Sequence, residues 1–182
     1  MSGLATGTAF DPGCGEGRDA IWLASRGWQV TAVDFSTTAL RPARERAAAA
    51  GADVAHRIDW VPADLTVWTS EQDFSDLVTA QYVHVPAASS GLLFSQLAAA
   101  VAAGGALLIV GHHPSDLETT MARGTAPELY LTAEHVAASF EPDRWDVAVA
   151  EARPHRTRDP EGHEVNLRET VLTARARPAS SA

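Results

Sequence analysis

Three glycines at alternate positions, in Asp11-Pro12-Gly13-Cys14-Gly15-Glu16-Gly17, constrain this 182-residue chain more than any other feature. Thr8 to Phe10 reads as a short strand leading into them, and Ala20, Ile21, Leu23 and Ala24 begin an amphipathic helix. Glycine adopts positive φ and lets a backbone pass close under a ligand. A glycine turn between a strand and a helix N-terminus also presents free N–H groups and the positive end of the helix dipole. Trp28 to Val33 then reads as a second strand, ending at Asp34. A carboxylate at that point can accept both hydroxyls of a ribose, as in nucleotide-binding α/β folds.

The rest of the chain continues the alternation. Ser36 caps a helix running to Ala50, where Gly51 stops it. Pro42 either kinks that helix or marks its true start. Ile58 to Val61 is the third strand, ending near Asp64, and Phe74 to Ala80 the fourth, with Asp76 as a polar interruption. Leu93, Leu97 and Val101 fall four apart, a helix stripe that Gly104-Gly105 ends, and Ala106 to Val110 is the fifth strand. His112 to Thr125 reads as a polar loop or lid, and Thr132 begins a helix through Phe140. Trp145 to Ala152 and Glu164 to Ala174 are two long strands joined by the turn Asp159 to Gly162, and Pro178 to Ala182 is a frayed tail. Without a linker or repeat, residues 1–182 form one α/β domain with a doubly wound, mostly parallel sheet. Asp11, Asp34, Asp64 and Gln81 all fall at or just past the ends of the first four strands.

Composition narrows the function classes. The net charge of −9 disfavours nucleic acid and anionic membranes as partners. A single cysteine, Cys14, permits no intrachain disulfide. No N-terminal apolar stretch resembles a signal peptide or membrane span, so cytoplasmic residence is expected. All 14 basic residues are arginine. Without lysine there is no Schiff base, no pyridoxal phosphate chemistry and no phosphate-binding P-loop. The arginine and alanine bias is that of a GC-rich bacterial genome.

The stretch Phe10 to Asp19 resembles the first motif of class I S-adenosylmethionine (SAM) dependent methyltransferases, in which an acidic residue precedes Gly-x-Gly-x-Gly. Val33-Asp34-Phe35-Ser36, Ala63-Asp64-Leu65 and Asp159-Pro160-Glu161-Gly162 are similar to the tellurite-resistance and thiopurine-type branch. The resemblance runs from Phe10 to about Arg175. It implies a Rossmann-like seven-stranded sheet of order 3-2-1-4-5-7-6 with an antiparallel edge hairpin. It also implies SAM as cofactor, leaving as S-adenosylhomocysteine (SAH), and a small-molecule acceptor.

The same resemblance distributes roles. Asp11, Gly13 and Gly15 line the cofactor, and Asp34 takes the ribose. Phe35 covers one adenine face or belongs to the core. Asp64 accepts from the adenine amine, with the Leu65 N–H donating to the ring. Gln81 passes beside the methionine part, and Arg18 either clamps its carboxylate or lies on the helix surface. His84, beside Tyr82, is either the base for a protic acceptor or a hydrogen-bonded structural residue. His112 and His113 could face the substrate or form half a metal site with Asp116 and Glu118. Adjacent histidines face different ways in a strand, so no metal is expected. Cys14, Trp22, Trp28 and Trp145 read as packing residues.

Two alternatives stay open. Gly15 to Ala20 also fits the dinucleotide pattern G-x-G-x-x-G/A, the mark of an oxidoreductase fragment. Glu16 and Asp19 crowd a pyrophosphate there, whereas they suit a ligand bearing an ammonium and a sulfonium. The second alternative is a SAM-fold binding or regulatory subunit without catalysis. It is motivated by Pro12 at the end of a central strand, and by only Met1 to Gly7 preceding that strand. The pocket would then be open, covered by the Pro114 to Pro127 loop, or closed by another subunit of a homo-oligomer.

Overall fold

The computed structural model describes residues 4–69, 72–85, 87–119, 121, 126 and 129–178. Seven strands form one sheet: β1 (Thr8–Pro12), β2 (Gln29–Asp34), β3 (Ile58–Pro62), β4 (Ser75–Gln81), β5 (Val101–His112), β6 (Trp145–Arg158) and β7 (Glu164–Ala176). Their order is β3-β2-β1-β4-β5-β7-β6, as expected. The pairs among β1 to β5 are parallel, and β7 runs antiparallel to both β5 and β6. The helices are α1 (Arg18–Ser25), α2 (Thr37–Ala50), α3 (Ala52–His56), α4 (Ala87–Ala99) and α5 (Ala133–Ala137), with a 3-10 turn over Pro114–Glu118.

Strand alternation sends successive side chains to opposite faces and splits the core in two. Phe10, Val33, Val78 and Leu107 pack with Leu93 and Leu97 of α4 and Val136 of α5. Ala9, Val30, Ala32 and Leu77 pack with Ala20, Leu23 and Ala24 of α1. The central strand is thus buried on both sides, which fixes the height of the glycine turn above the sheet. Asp76 has a structural task at the other end of β4. Its Oδ2 accepts from the Thr8 N–H at 2.8 Å and from the Thr8 hydroxyl at 2.9 Å, aligning β1 with β4.

Several elements differ from the sequence reading. Val101 belongs to β5, not to the preceding helix. The β4–β5 register jumps from Ser75↔Val101 to Leu77↔Ala106, so residues 102–105 loop out opposite Asp76 and the glycines sit in a bulge. Pro42 lies inside α2, whose start is set six residues earlier by Ser36; its side chain accepts from the Ala39 N–H. The donor that Pro42 lacks would have met Thr38, which is exposed. Helix α3 is an unforeseen short turn beginning directly on Gly51. Helix α5 is shorter than expected, and the final strands are longer. Asp159 closes their hairpin by accepting from the N–H groups of Glu161 and His163 at 3.0 and 2.8 Å. Trp28 and Trp145 are buried, but Trp22 is 52% exposed with Arg26 stacked over its ring at 4.3 Å. Part of the expected lid and the last four tail residues lie outside the described residues.

Candidate active site

Pro12 is the last residue of β1, the one place where its missing N–H costs the ladder least. Gly13 and Cys14 restore the connection, both donating to the Val33 carbonyl of β2, at 2.7 and 3.0 Å. Gly13, Gly15 and Gly17 all have positive φ. A Cβ on Gly17 would lie 2.3 Å from Cη2 of Trp60, so the turn can settle onto β3 only without a side chain there. Nothing lies within 4 Å of the equivalent position on Gly15, which opens outward.

Asp34 is buried at the end of β2 and holds this turn in place. Its Oδ2 accepts from the Gly15 N–H and its Oδ1 from the Ser36 N–H, each at 2.8 Å. A carboxylate has about four lone-pair sites, so two such bonds leave capacity for a diol. Asp64 lies two residues past β3 and is exposed, with Oδ1 accepting from the N–H and hydroxyl of Thr66, each at 2.8 Å. Those hydrogen bonds hold its carboxyl below the ordinary carboxylate range. Leu65 beside it is buried. Phe35 is 79% exposed, which removes the core alternative.

Asp11 carries the most unusual carboxyl of the site. It is buried, and its Oδ2 has no hydrogen-bond partner. Burial first, then the nearby charge of Asp19, push its pKa up to about 8. Burial also raises Asp19, although its hydrogen bond with Gln81 and the Arg18 charge oppose this. Cys14 is driven upward by burial and by Asp11, so it stays a thiol and makes a poor nucleophile.

Two cavities open over this turn. One, of about 900 Å³, is lined by Asp11, Gly13, Cys14, Glu16, Arg18, Asp19, Arg46, Gln81 and Tyr82, among others. An Arg46–Glu16 ion pair ties α2 to the turn at this wall. The other, of about 340 Å³, is lined by Gly13, Asp34, Phe35, Asp64, Leu65, Thr66, Tyr82 and His84, among others. All nine cofactor candidates except Gly15 therefore line one cavity or the other, and Gly15 bonds directly to Asp34.

The three catalytic candidates gather in one aromatic cluster. The rings of Tyr82 and His112 lie 4.8 Å apart, and His84 stacks on His112 at 5.7 Å. Desolvation holds His84 below the ordinary histidine pKa, so it is neutral at pH 7. Tyr82 has φ 52°, rare for a non-glycine residue. Its hydroxyl donates to Oε1 of Glu169 at 2.5 Å, and Nδ1 of His155 lies 3.2 Å from the same oxygen. Glu169, His155 and Tyr130, whose ring is 6.1 Å from His112, are the residues that sequence reasoning missed. The register His112↔Glu169 brings strand β7 to the site, and no local motif announces it.

His113 and Asp116 each have hydrogen bonds of their own. His113 accepts from the Ser115 N–H, and Asp116 is buried, accepting from the Arg168 N–H. Among the described residues, the trio whose potential ligand atoms converge is Asp159, Glu161 and His163, in the outer hairpin turn.

A family model described as a methyltransferase domain matches residues 9–105, more than half of the chain. The chain belongs to this methyltransferase-domain family, and it is an enzyme of the methyl-transferring class. Among solved structures it is similar to TehB from Haemophilus influenzae, with 14% identity and a TM-score of 0.75, covering 94% of this chain and 58% of that one. It is similar also to the glycopeptide N-methyltransferase MtfA complexed with SAH, with 18% identity and a TM-score of 0.68, covering 96% and 85%. A third is the 1,6-didemethyltoxoflavin-N1-methyltransferase of Burkholderia thailandensis, with 20% identity and a TM-score of 0.60, covering 93% and 71%. No curated protein sequence matches the chain.

Proposed function

We propose that the chain transfers a methyl group from SAM to a small-molecule acceptor, releasing SAH. The observation that carries this reading is the unpartnered, buried oxygen of Asp11 on a cavity that adjoins the Asp34–Asp64 cavity. SAM is a nucleoside joined to an amino acid, and each part has a counterpart here. Asp34 suits the ribose diol, and Asp64 with Leu65 the adenine edge. Gln81 runs beside the amino-acid part, whose ammonium suits Asp11 and Asp19 and whose carboxylate suits Arg18. When bound, SAM supplies an electrophilic methyl on a sulfonium. The chain's own contribution is largely positioning, which accounts for much of the rate of such a displacement. His84 is placed to take the proton of an oxygen or nitrogen acceptor, with Tyr82 and His112 beside it.

The dinucleotide alternative fares worse at the same place. Asp11, Glu16 and Asp19 put three carboxyl groups where a pyrophosphate would need the helix N-terminus. The finer assignment to the tellurite-resistance and thiopurine-type branch rests on the motifs around Asp34, Asp64 and Asp159. No helix among the described residues is long and apolar enough to cross a membrane. Calorimetric titration with SAM, SAH and NAD tests the reading. Binding of the first two and not the third is expected, and binding of NAD alone would reverse it.

A further inference from the structure

The two cavities share two residues among those described, Gly13 and Tyr82. Any ligand with its nucleoside in one cavity and its amino acid in the other must thread between them. In SAM the atom that links the two parts is the sulfonium sulfur. Gly13 offers only backbone there, so Tyr82 is the side chain of the neck. Its placement is over-determined: φ is 52°, and its hydroxyl is fixed to the Glu169 carboxylate, which His155 also approaches. A strained backbone held by side-chain bonds is the usual mark of a residue kept in position for a task. A phenol donating to a carboxylate has an electron-rich ring, and such rings attract desolvated cations.

From this we infer that the ring of Tyr82, held by Glu169, recognises the positive charge of the sulfonium, so that it separates SAM from neutral SAH. The inference rests on the SAM reading above. Glu169 acts here as a positioning residue for Tyr82, not as a base. The methyl group would then leave past the His84–His112 stack, which places the acceptor on that side of Tyr82.

The test is calorimetry with SAM and SAH against wild type, Tyr82→Asn and Tyr82→Phe. Asparagine tolerates positive φ but removes the ring; phenylalanine keeps the ring without the hydroxyl. Tyr82→Asn is expected to weaken SAM by about tenfold relative to SAH. Tyr82→Phe keeps the ring but loses the Glu169 anchor, so it should retain only part of the wild-type ratio. If Tyr82→Asn does not fold, Tyr82→Gly removes the ring with no backbone strain and is read the same way. An unchanged SAM-to-SAH ratio without the ring overturns the inference. So does a Tyr82→Phe variant that loses the ratio as fully as Tyr82→Asn. Failure of wild type to bind either ligand would instead overturn the SAM reading itself.

Discussion

The main-chain N–H of Gly15 donates to Oδ2 of Asp34 over 2.8 Å, so the glycine turn of one strand is held by the carboxylate ending the next. Asp34 therefore does two things at once. It fixes the turn, and it presents remaining lone pairs on the wall of the smaller cavity.

Asp34→Ala is expected to lose the charge-assisted bonds to the ribose and weaken SAM binding by about 2–3 kcal/mol. It should also loosen the turn, because the N–H groups of Gly15 and Ser36 lose their acceptor. Calorimetry on the folded variant checks the first effect. An unchanged dissociation constant rejects the ribose role.

Gly17→Ala and Gly15→Ala separate packing from binding. Alanine at 17 meets the Trp60 ring at 2.3 Å on a backbone of φ +76°, and is expected to cost about 2–4 kcal/mol of stability. Alanine at 15 meets open space at φ +54°, so its stability cost is the backbone term alone, about 1–2 kcal/mol. Any change in SAM affinity should then come through the Gly15–Asp34 hydrogen bond. Urea unfolding and calorimetry on both variants are the measurements, and equal stability losses would contradict the assignment.

Much of this was legible in the sequence, for physical reasons. The glycine turn, Asp34 and the strand ends are local signals, so the placing of Asp11, Asp34 and Asp64 at strand ends was readable from the chain, while the sheet order came from the resemblance alone. Val101 was misplaced because an alanine-rich stripe continues past the end of α4, while its place in β5 is set by pairing with Ser75 in another strand. Glu169 and His155 were invisible for a similar reason. Glu169 is 87 residues from Tyr82, and only the antiparallel register of β7 brings them together. The exposure of Trp22 is equally non-local, since its apolar character predicts a core that α1 does not offer it.

Asp11 should make stability fall as pH rises. Its folded pKa of about 8 lies above the ordinary 3.8, so between these values the native state binds more protons than the unfolded chain. Each pH unit in that window then costs up to about 1.4 kcal/mol. Asp11→Asn is expected to flatten this dependence and to be more stable than wild type near pH 8. Urea unfolding from pH 4 to 8 measures it, and parallel curves would place the proton elsewhere.

The same carboxyl couples to the ligand. A cation bound beside Asp11 favours its charged form, so SAM binding at pH 7 is expected to release a proton. Binding enthalpies measured in buffers of different ionisation heat should then diverge in wild type and converge in Asp11→Asn. Buffer-independent wild-type enthalpies would contradict it.

His84→Ala is expected to lower single-turnover methyl transfer to an oxygen or nitrogen acceptor by about a hundredfold or more. SAM affinity should change far less. Because the pKa of His84 is lowered from 6.5, the acid limb of the wild-type profile should fall below that pH and vanish in the variant. Identical rates and profiles would make His84 structural. For a pre-ionised acceptor, such as a thiolate, the effect should be small.

The most direct measurement is a crystal structure of the chain soaked or grown with SAH. The expected result is one SAH molecule spanning both cavities, with its ribose on Asp34, its adenine at Asp64 and Leu65, and its amino group on the Asp11 side. Its sulfur should sit between Gly13 and Tyr82. SAH in a different cleft, or reversed so that its adenine lies beside Asp11 and Arg18, would contradict the account.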